Sequence, residues 1–497
     1  MKKVFVEKKD MQGLFVRGYG KFHFARFVLL KINNAEEAKE YLKKISDQLN
    51  TAAVSPVDSA INIALTNKGL KALKLKEEIY STFSREFLEG MDDPYRATIL
   101  GDHDLNDPNN WKWGGPNNDE VHLMLMFYAN THNILDKIFN DHQKDFTNKG
   151  ISIVKIQETQ MLPSGKEHFG FRDGISMPDI DGFGDDPIDN TDRPVQIKEL
   201  NPMKAGEFVL GYKNEYNSYS ERPFSPTIED TENILPIFDN DANFKDLGKN
   251  GTYMVYREIS QDVPLFWKYL YENSKEPTED RKDAAIKLGT KMVGRWPSGA
   301  SLINYPDKDI NENLLSGYEK NIIADNNFGY RDKDPDGMLC PFGSHIRRTN
   351  PRDKFSVDHN KHDSIEMIRK HQILRRGRAF GKPICNSMNP EDIMKSEDDG
   401  EKRGLHFICL VGHIARQFEF VQNAWVQSAN FLGMYRDGDP LIGSRINSGE
   451  NINNEFTCPA FPVRRKYKNL PQFTQLTGGS YFFLPGIKAL KFIANCR

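Results

Sequence analysis

The sequence predicts an α+β protein built from two halves that repeat one order of strands and helices. In each half, runs of β-branched and aromatic residues that predict strands alternate with segments whose apolar residues recur at helical spacing. The chain has 497 residues, enough for two or three domains of ordinary size. We therefore expect two split βαβ halves with antiparallel sheets and long loop insertions.

The first half carries the clearest alternation. Its predicted elements are a strand at 24–32, a helix at 36–49, a strand at 60–65, a short helix at 69–75, a strand at 121–128, a helix at 133–146 and a strand at 151–156. Within the last helix, Ile134, Leu135, Ile138 and Phe139 share one face. This βαβ–βαβ order is the ferredoxin-like pattern.

The second half repeats the pattern around a long insert. The predicted elements are a strand at 252–259, a helix at 263–273, a strand at 405–411, a helix at 415–428 and a strand at 478–484. A stretch rich in Asp, Pro, Asn and Gly at 178–222 separates the halves, so we place the domains at 1–200 and 201–497. The insert at about 300–400 exceeds what a compact connection needs, which indicates a functional segment.

Composition excludes several classes of protein. The 67 Lys and Arg residues nearly balance the 70 Asp and Glu residues, which argues against a nucleic-acid partner. No apolar run approaches the ~20 residues of a membrane-spanning helix. Glu7, Lys8, Lys9 and Asp10 interrupt any apolar leader, so we expect a cytoplasmic protein. Five scattered cysteines do not form a disulfide framework or a CxxC zinc site.

The segment Gly170-Phe171-Arg172-Asp173-Gly174 places one carboxylate between two glycines. Such a loop can hold an acid or base at a defined point, because glycine admits tight backbone turns. Taken alone, an Asp-Gly pair is more often only a turn.

The segment 340–352 places His345 beside Arg347, Arg348 and Arg352. A zinc site would need further ligands at short spacing, and a lone histidine is more often a hydrogen-bonded structural residue. Haem, in contrast, needs one axial ligand and cations for its propionates, which these arginines could supply.

A third segment, 373–377, places Arg375 after Ile373 and Leu374. A guanidinium directed into an apolar pocket can stabilise a developing anion. In isolation, a basic surface turn is the simpler interpretation.

The motifs HFGFRDGIS, CPFGSHIRRTNPR and ILRRG, in that order, resemble the dye-decolorising (DyP-type) haem peroxidases. Further matching landmarks lie at 10–13, 206–212, 293–296, 404–407 and 478–485. The sequence departs from the family pattern at Met11, where isoleucine is frequent, and at Gly343 and Ser344, where two alanines are frequent. The resemblance implies two ferredoxin-like halves and one haem b per chain, held by the C-terminal half.

The resemblance also implies site residues and partners. Asp173 would be the acid/base residue, His345 the proximal iron ligand and Arg375 the distal arginine, while Leu405 and Phe407 would line the distal side. The substrates would be hydrogen peroxide and organic donors such as dyes and phenols, oxidised in one-electron steps. The other residues expected to contact haem are Phe171, Gly174, Arg347 and Arg352.

The sequence leaves open the hydrogen-bond partner of His345, the electron relay, the oligomeric state and two alternative functions. Glu419 is a candidate to accept a hydrogen bond from the second ring nitrogen of His345. The five tryptophans and 18 tyrosines include candidates for electron relay, but the sequence does not select among them. A homo-oligomer is compatible with the sequence. The alternative functions are a haem or iron storage, sensing or delivery protein without turnover, and a structural interaction protein whose motifs are turns.

Overall fold

The computed structural model describes residues 5–183, 202–274, 280–310, 326–355, 360–446 and 452–496. The strands are β1 (Phe24–Ile32), β2 (Ser59–Leu65), β3 (Leu123–Ala129), β4 (Ile151–Gln160), β5 (Phe224–Pro226), β6 (Ile237–Phe238), β7 (Asp241–Asp246), β8 (Thr252–Gln261), β9 (Leu374–Arg375), β10 (Arg378–Phe380), β11 (Gly404–Val411), β12 (Phe456–Cys458), β13 (Arg465–Tyr467) and β14 (Thr474–Leu484).

Helices occupy most of the segments between the strands. They are α1 (Ala35–Ser46), α2 (Asn67–Ala72), α3 (Glu77–Tyr80), α4 (Arg85–Glu89), α5 (Pro94–Leu100), α6 (His132–Thr147), α7 (Val263–Asn273), α8 (Arg281–Val293), α9 (His345–Thr349), α10 (Lys361–Arg369), α11 (Pro390–Ile393) and α12 (Ile487–Asn495). The predicted helix at 415–428 forms as two π-helical segments, Ala415–Glu419 and Val421–Gln427.

The main sheet contains two groups of four strands with equivalent order. The first half contributes β4-β1-β3-β2 and the second half β14-β8-β11-β9, with antiparallel pairing between neighbours. Numbered within each half, both groups follow the order 4-1-3-2. The predicted α+β fold with two duplicated ferredoxin-like halves is therefore confirmed. In this arrangement β9, which carries Arg375, is the second strand of the second half.

The two halves join at both edges of this sheet. Leu65 of β2 pairs with Phe483 of β14. At the opposite edge, β10 pairs with β4 through Ala379 and Gln160, and also with the first residues of β11. The nine strands thus close into a ring, and β9 and β10 lie one after the other along β11.

The ring separates two apolar layers. Val28 and Leu30 of β1 belong to the layer that packs against the helices. Ala25, Phe27 and Leu29 alternate with them and belong to a second buried cluster on the inner face. This alternation follows from the two-residue period of a strand, and it determines on which face of β9, β10 and β11 each polar side chain lies.

The motif at 10–13 ties the N-terminal segment to both halves. The Gln12 Nε2 donates to the carbonyl oxygens of Ile63 (2.9 Å) and Pro485 (3.0 Å). The Asp10 Oδ1 accepts from the backbone N–H of Lys488 at 2.8 Å, in the first turn of α12. These contacts give the motif a structural role.

The sequence did not predict several described elements, namely β9, β10, α8, α12 and the small sheets β5-β7-β6 and β12-β13. The proposed domain boundary near 200 lies at 184–201, outside the described residues. Among the described segments, no helix combines the length and apolarity needed to cross a bilayer.

Candidate active site

Asp173 follows a loop that is held in place by a buried carboxylate. Glu167 accepts backbone N–H groups from Phe169 (2.9 Å) and Phe171 (3.1 Å) and the side-chain amide of Gln261 (2.6 Å). Gly170 has φ +93°, and an added Cβ there would lie 2.9 Å from the Ile393 side chain. The loop therefore needs glycine at this position to close beneath Asp173.

Asp173 and Arg375 form an ion pair that opens onto a cavity. The Arg375 Nη1 donates to the Asp173 Oδ1 at 2.8 Å, and the Gly174 backbone N–H donates to the same oxygen at 2.6 Å. The side chains are 47% and 29% exposed, and both line a cavity of about 620 Å³. Among the described residues, the Asp173 Oδ2 has no hydrogen-bond partner, so one oxygen is fixed and the other is available for proton transfer.

The charge of Arg375 keeps Asp173 ionised. Burial alone would raise the pKa of Asp173, but the nearby Arg375 guanidinium, with the Gly174 N–H bond, lowers it below its usual 3.8. Arg375 reaches this position because β9 pairs Arg375 with Cys409 of β11. Directly paired residues share a face, so Arg375 lies on the same face of the sheet as Cys409 and its alternate neighbour Phe407.

His345 is the first residue of the short helix α9 and is oriented by a buried aspartate. Its Nδ1 donates to the Asp439 Oδ2 at 2.9 Å, while the Asp439 Oδ1 accepts the backbone N–H groups of Leu441 (2.9 Å) and Ile442 (3.0 Å). The Asp439 side chain has no solvent exposure, whereas that of His345 is 26% exposed. With Nδ1 occupied, Nε2 is left free to bind a metal.

The residue that accepts the hydrogen bond from His345 is Asp439 and not Glu419, the candidate from the sequence. Glu419 does not contact His345. It accepts from Arg96 Nη1 and the Tyr481 hydroxyl, each at 2.8 Å. Asp439 was missed because it lies 94 residues from His345, within an Asp-Gly-Asp-Pro segment that is typical of a turn.

Three of the predicted site residues act on one another electrostatically. The Asp439 carboxylate outweighs the effect of burial and raises the pKa of His345, and the Asp173 carboxylate acts in the same direction. The Arg375 guanidinium opposes this change. The structure therefore brings Asp173, His345 and Arg375, which are far apart in sequence, within electrostatic reach of one another.

Leu405, Phe407 and Gly174 line the same cavity as Asp173. Arg352 instead lines a second cavity of about 320 Å³. Its Nη1 donates to the carbonyl oxygen of Asn326 at 2.8 Å, and its guanidinium lies 3.8 Å from the Phe328 ring centroid.

Two expected haem contacts lie elsewhere. Arg347 has no exposed surface, and its guanidinium donates to the Asp334 carboxylate (2.7 Å) and to the carbonyl oxygen of Cys340 (2.7 Å). Phe171 is 2% exposed and stacks on Trp267 within an apolar cluster. Because both side chains are enclosed by protein, they stabilise the surroundings of the site and do not face either cavity.

The donor set fits haem better than a metal ion bound by protein alone. The described residues include no group of three or more His, Cys, Asp or Glu side chains that could enclose a metal. They provide one imidazole, oriented by a carboxylate, and an acid–cation pair within electrostatic reach of it. Such an arrangement is typical of a site that supplies one axial ligand to haem and polar groups on the opposite face.

No family model matches the chain, but individual proteins do. Dye-decolorizing peroxidase msp1 of Mycetinis scorodonius is 26% identical over 90% of this chain and 79% of its own length. A dye-decolorizing peroxidase of Mycena epipterygia is 28% identical over 88% of this chain and 76% of its own length.

These relatives confirm the resemblance to the dye-decolorising peroxidases that the sequence motifs indicate. Solved structures of this family share the fold of this chain. A decolorizing peroxidase from Auricularia auricula-judae superposes with a TM-score of 0.73 at 23% identity, covering 98% of this chain and all of the other. An ancestral D-type dye decolorizing peroxidase has a TM-score of 0.74 at 25% identity, with 98% and 99% coverage. The protein is therefore a peroxidase, and the interpretation as a haem store without turnover is set aside.

Proposed function

We propose that this dye-decolorising peroxidase binds one haem b per chain through His345 and uses Asp173 and Arg375 to reduce hydrogen peroxide. The observation that carries the proposal is the Asp173–Arg375 pair, joined at 2.8 Å and open to a cavity, within electrostatic reach of the Asp439-oriented His345. A related structure is described as having a heme pocket, which supports haem as the cofactor.

Asp173 and Arg375 have different roles, because one is an anion that can accept a proton and the other is a permanent cation. Haem, when bound, would supply the redox centre that accepts oxidising equivalents from peroxide and passes them singly to organic donors. The free Oδ2 of Asp173 takes a proton from peroxide and returns it to the departing oxygen, which leaves as water. A positioned acid/base group contributes ~10²–10⁴-fold to the rate. The Arg375 guanidinium keeps Asp173 ionised and stabilises the charge that develops on the departing oxygen.

The direct test combines cofactor content with turnover. The purified chain, supplied with haem, should bind one equivalent and oxidise an anthraquinone dye and a small phenol only when peroxide is present. A histidine-ligated haem spectrum without turnover would contradict the assignment of Asp173 and Arg375. A chain that acquires no Soret absorbance would contradict haem binding.

The Asp439→Asn variant should bind haem ~10–100-fold more weakly, because Asp439 orients the His345 ring and increases its donor strength. Glu419→Gln is the matched control, since it alters a buried carboxylate that does not contact His345. Haem titration of the two variants checks the assignment. Equal affinities would show that Asp439 does not support the proximal ligand.

Three wider expectations remain part of this proposal. The cytoplasmic location, the absence of nucleic-acid and membrane partners, and the oligomeric state come from the sequence, with a homo-oligomer left open. The division into domains 1–200 and 201–497 is likewise a proposal, supported by the equivalent strand order of the two halves. Cell fractionation and size-exclusion chromatography with light scattering would test the location and the assembly.

A further inference from the structure

Asp439, which accepts the hydrogen bond from His345, lies near two buried arginines. The Asp439 side chain has no solvent exposure. Burial alone would raise the pKa of Asp439, but the His345 imidazole and, to a smaller degree, the Arg348 guanidinium lower it below 3.8. For both Arg348 and Arg445, Asp439 is the group that most favours the charged form. The Asp439 carboxylate therefore interacts with two cations besides the imidazole that it orients.

Arg348 belongs to α9, the short helix that contains the expected iron ligand, and it has no exposed surface. Its Nε donates to the carbonyl oxygen of Gly343 at 3.3 Å. Its Nη1 donates to the carbonyl oxygens of Trp425 (2.6 Å) and Ser428 (2.9 Å), and its Nη2 to that of Asp437. Because every acceptor is a neutral carbonyl group, these bonds hold the guanidinium in place without neutralising its charge.

Arg445 is a second buried cation, and its guanidinium makes no hydrogen bond to the described residues. It is 6% exposed, and its Nε, Nη1 and Nη2 have no partner. The guanidinium lies against the turn that follows Asp439. A Cβ added at Gly443 would lie 3.1 Å from the Arg445 Nη1 and 2.7 Å from the Asp439 carbonyl oxygen. The glycine therefore leaves room for the guanidinium beside the backbone of Asp439.

The contribution of Arg445 at this place is a charge and not a hydrogen bond. Burial lowers the pKa of Arg445 to about 10, and the Asp439 carboxylate opposes that change. With this pKa, Arg445 stays charged at neutral pH. The Asp437 carboxylate also lies near Arg348, but it favours the charged form of Arg348 less than Asp439 does, and burial raises its pKa. Two cations thus act on Asp439, with one further carboxylate to offset them.

We propose that Arg348 and Arg445 are positioning residues that weaken Asp439 as a base and so keep the shared proton on the Nδ1 of His345. Nearby cations lower the proton affinity of a carboxylate, whereas the carboxylate increases the donor strength of the ring that it orients. A neutral imidazole donates less electron density through Nε2 than a ring that has given up its Nδ1 proton. The two arginines therefore limit electron donation by His345 and raise the reduction potential of haem iron. This inference rests on the proposed binding of haem through His345.

The primary test is the ferric–ferrous midpoint potential of the haem-loaded Arg445→Met variant, measured by spectroelectrochemistry. Arg445 is the suitable position because its guanidinium has no hydrogen bond to lose. We expect the equilibrium to move ~10-fold toward the ferric form, a fall of about 59 mV for a one-electron couple. Arg445→Gln, a second neutral variant, should show the same change. An unchanged potential in both variants would overturn the proposal.

Resonance Raman spectroscopy of the ferrous protein provides an independent readout. The iron–histidine stretch should move to higher frequency in Arg445→Met, because the ring then donates more strongly. A stretch that stays at the frequency of the unsubstituted protein, despite a changed potential, would show that His345 does not transmit the effect.

Two variants separate the charge of Arg445 from its packing. Arg445→Lys keeps the charge and should retain most of the potential of the unsubstituted protein. Arg403→Met is the matched control and should leave the potential unchanged. Arg403 is also buried, at 3% exposed, and its partner Asp399 has a 40% exposed side chain, so no buried carboxylate is left unpaired. A shift in Arg445→Lys or Arg403→Met equal to that in Arg445→Met would contradict the proposal.

A double-mutant cycle tests whether Arg445 acts through Asp439. At saturating haem, Arg445→Met should shift the potential much less in the Asp439→Asn background than in the unsubstituted protein, because the carboxylate that carries the effect is gone. A full shift in that background would show that Arg445 acts on haem directly, which would overturn the proposal.

The unsubstituted protein separates a failure of this inference from a failure of the proposed function. The absence of a histidine-ligated haem spectrum would contradict both. Histidine-ligated haem without peroxide-dependent turnover would contradict only the roles of Asp173 and Arg375, and the shift in Arg445→Met would still be expected. Normal turnover with the same potential in Arg445→Met and the unsubstituted protein would overturn this inference alone.

Discussion

Replacing His345 with alanine should abolish histidine-ligated haem binding and with it peroxidase turnover. Among the histidines that the structure describes, only His345 combines a free Nε2 with an Nδ1 held by a fully buried carboxylate. Haem titration, absorbance spectroscopy and the dye assay measure the loss. His362→Ala is the control, because that side chain is 78% exposed. A normal histidine-ligated spectrum in His345→Ala would contradict the assignment.

This variant also leaves Asp439 without its imidazole partner. An orphaned buried charge costs about 1–3 kcal/mol or more, so the single variant should unfold at a lower temperature. Removing both partners is less costly than removing one, and the double variant His345→Ala with Asp439→Ala should recover part of that stability. Haem binding should stay absent in the double variant, which separates ligand loss from misfolding. Thermal unfolding followed by circular dichroism provides the comparison.

Asp173→Asn should slow the reaction with peroxide by ~10²–10⁴-fold, because the amide cannot take up the proton at Oδ2. Haem affinity should be unchanged, since Asp173 does not hold His345. Stopped-flow spectroscopy of the haem-loaded variant measures the rate. Asp136→Asn is the control, because Asp136 pairs with Arg26 and does not line the cavity that contains Asp173. Asp173→Glu should recover part of the rate, and an unaffected rate in Asp173→Asn would remove Asp173 from the mechanism.

Arg375→Leu should change the pH dependence as well as the rate. In the unsubstituted protein Arg375 lowers the pKa of Asp173, so the carboxylate is ionised at any pH above that lowered value, and activity falls only as the pH drops through it. Without the guanidinium, burial raises the pKa of Asp173, and the acidic limb of the pH–rate profile moves to higher pH. The rate should also fall by ~10²–10³-fold. A reduced rate with an unmoved acidic limb would show that Arg375 does not control the ionisation of Asp173.

The long periodic elements were predictable because each buries an apolar face. The strands and α7 were located to within a few residues from alternation and helical spacing. In contrast, β9 has only two residues and β10 only three, too short for any period to be visible. Arg375 lies in one of these short strands. The backbone that positions it could therefore not be predicted from the periodicity of apolar residues.

Site residues could be predicted where they stand in a motif whose residue types indicate their chemistry. They could not be predicted where their role depends on a partner that is distant in sequence. Asp173, His345 and Arg375 stood in recognisable motifs, and the structure brings them within electrostatic reach of one another. Asp439 carries no local signal, since its importance comes from a contact with His345 that only folding creates. Arg347 was expected at the haem from its place beside His345, but helical geometry directs it into a buried cluster with Asp334 instead.

The short contact between β10 and β4 makes local separation of these two strands easy. Only one residue pair, Ala379 with Gln160, joins these strands, whereas seven join β1 to β3. Amide hydrogen exchange should therefore be faster at this junction, and at the single-pair junction of β2 with β14, than in the centre of either four-strand group. Because Arg378 precedes Ala379, each opening would give the cavity a transient exit toward solvent. The rate of opening at the junction of β10 with β4 then sets an upper limit on how quickly a bound molecule could leave by that route.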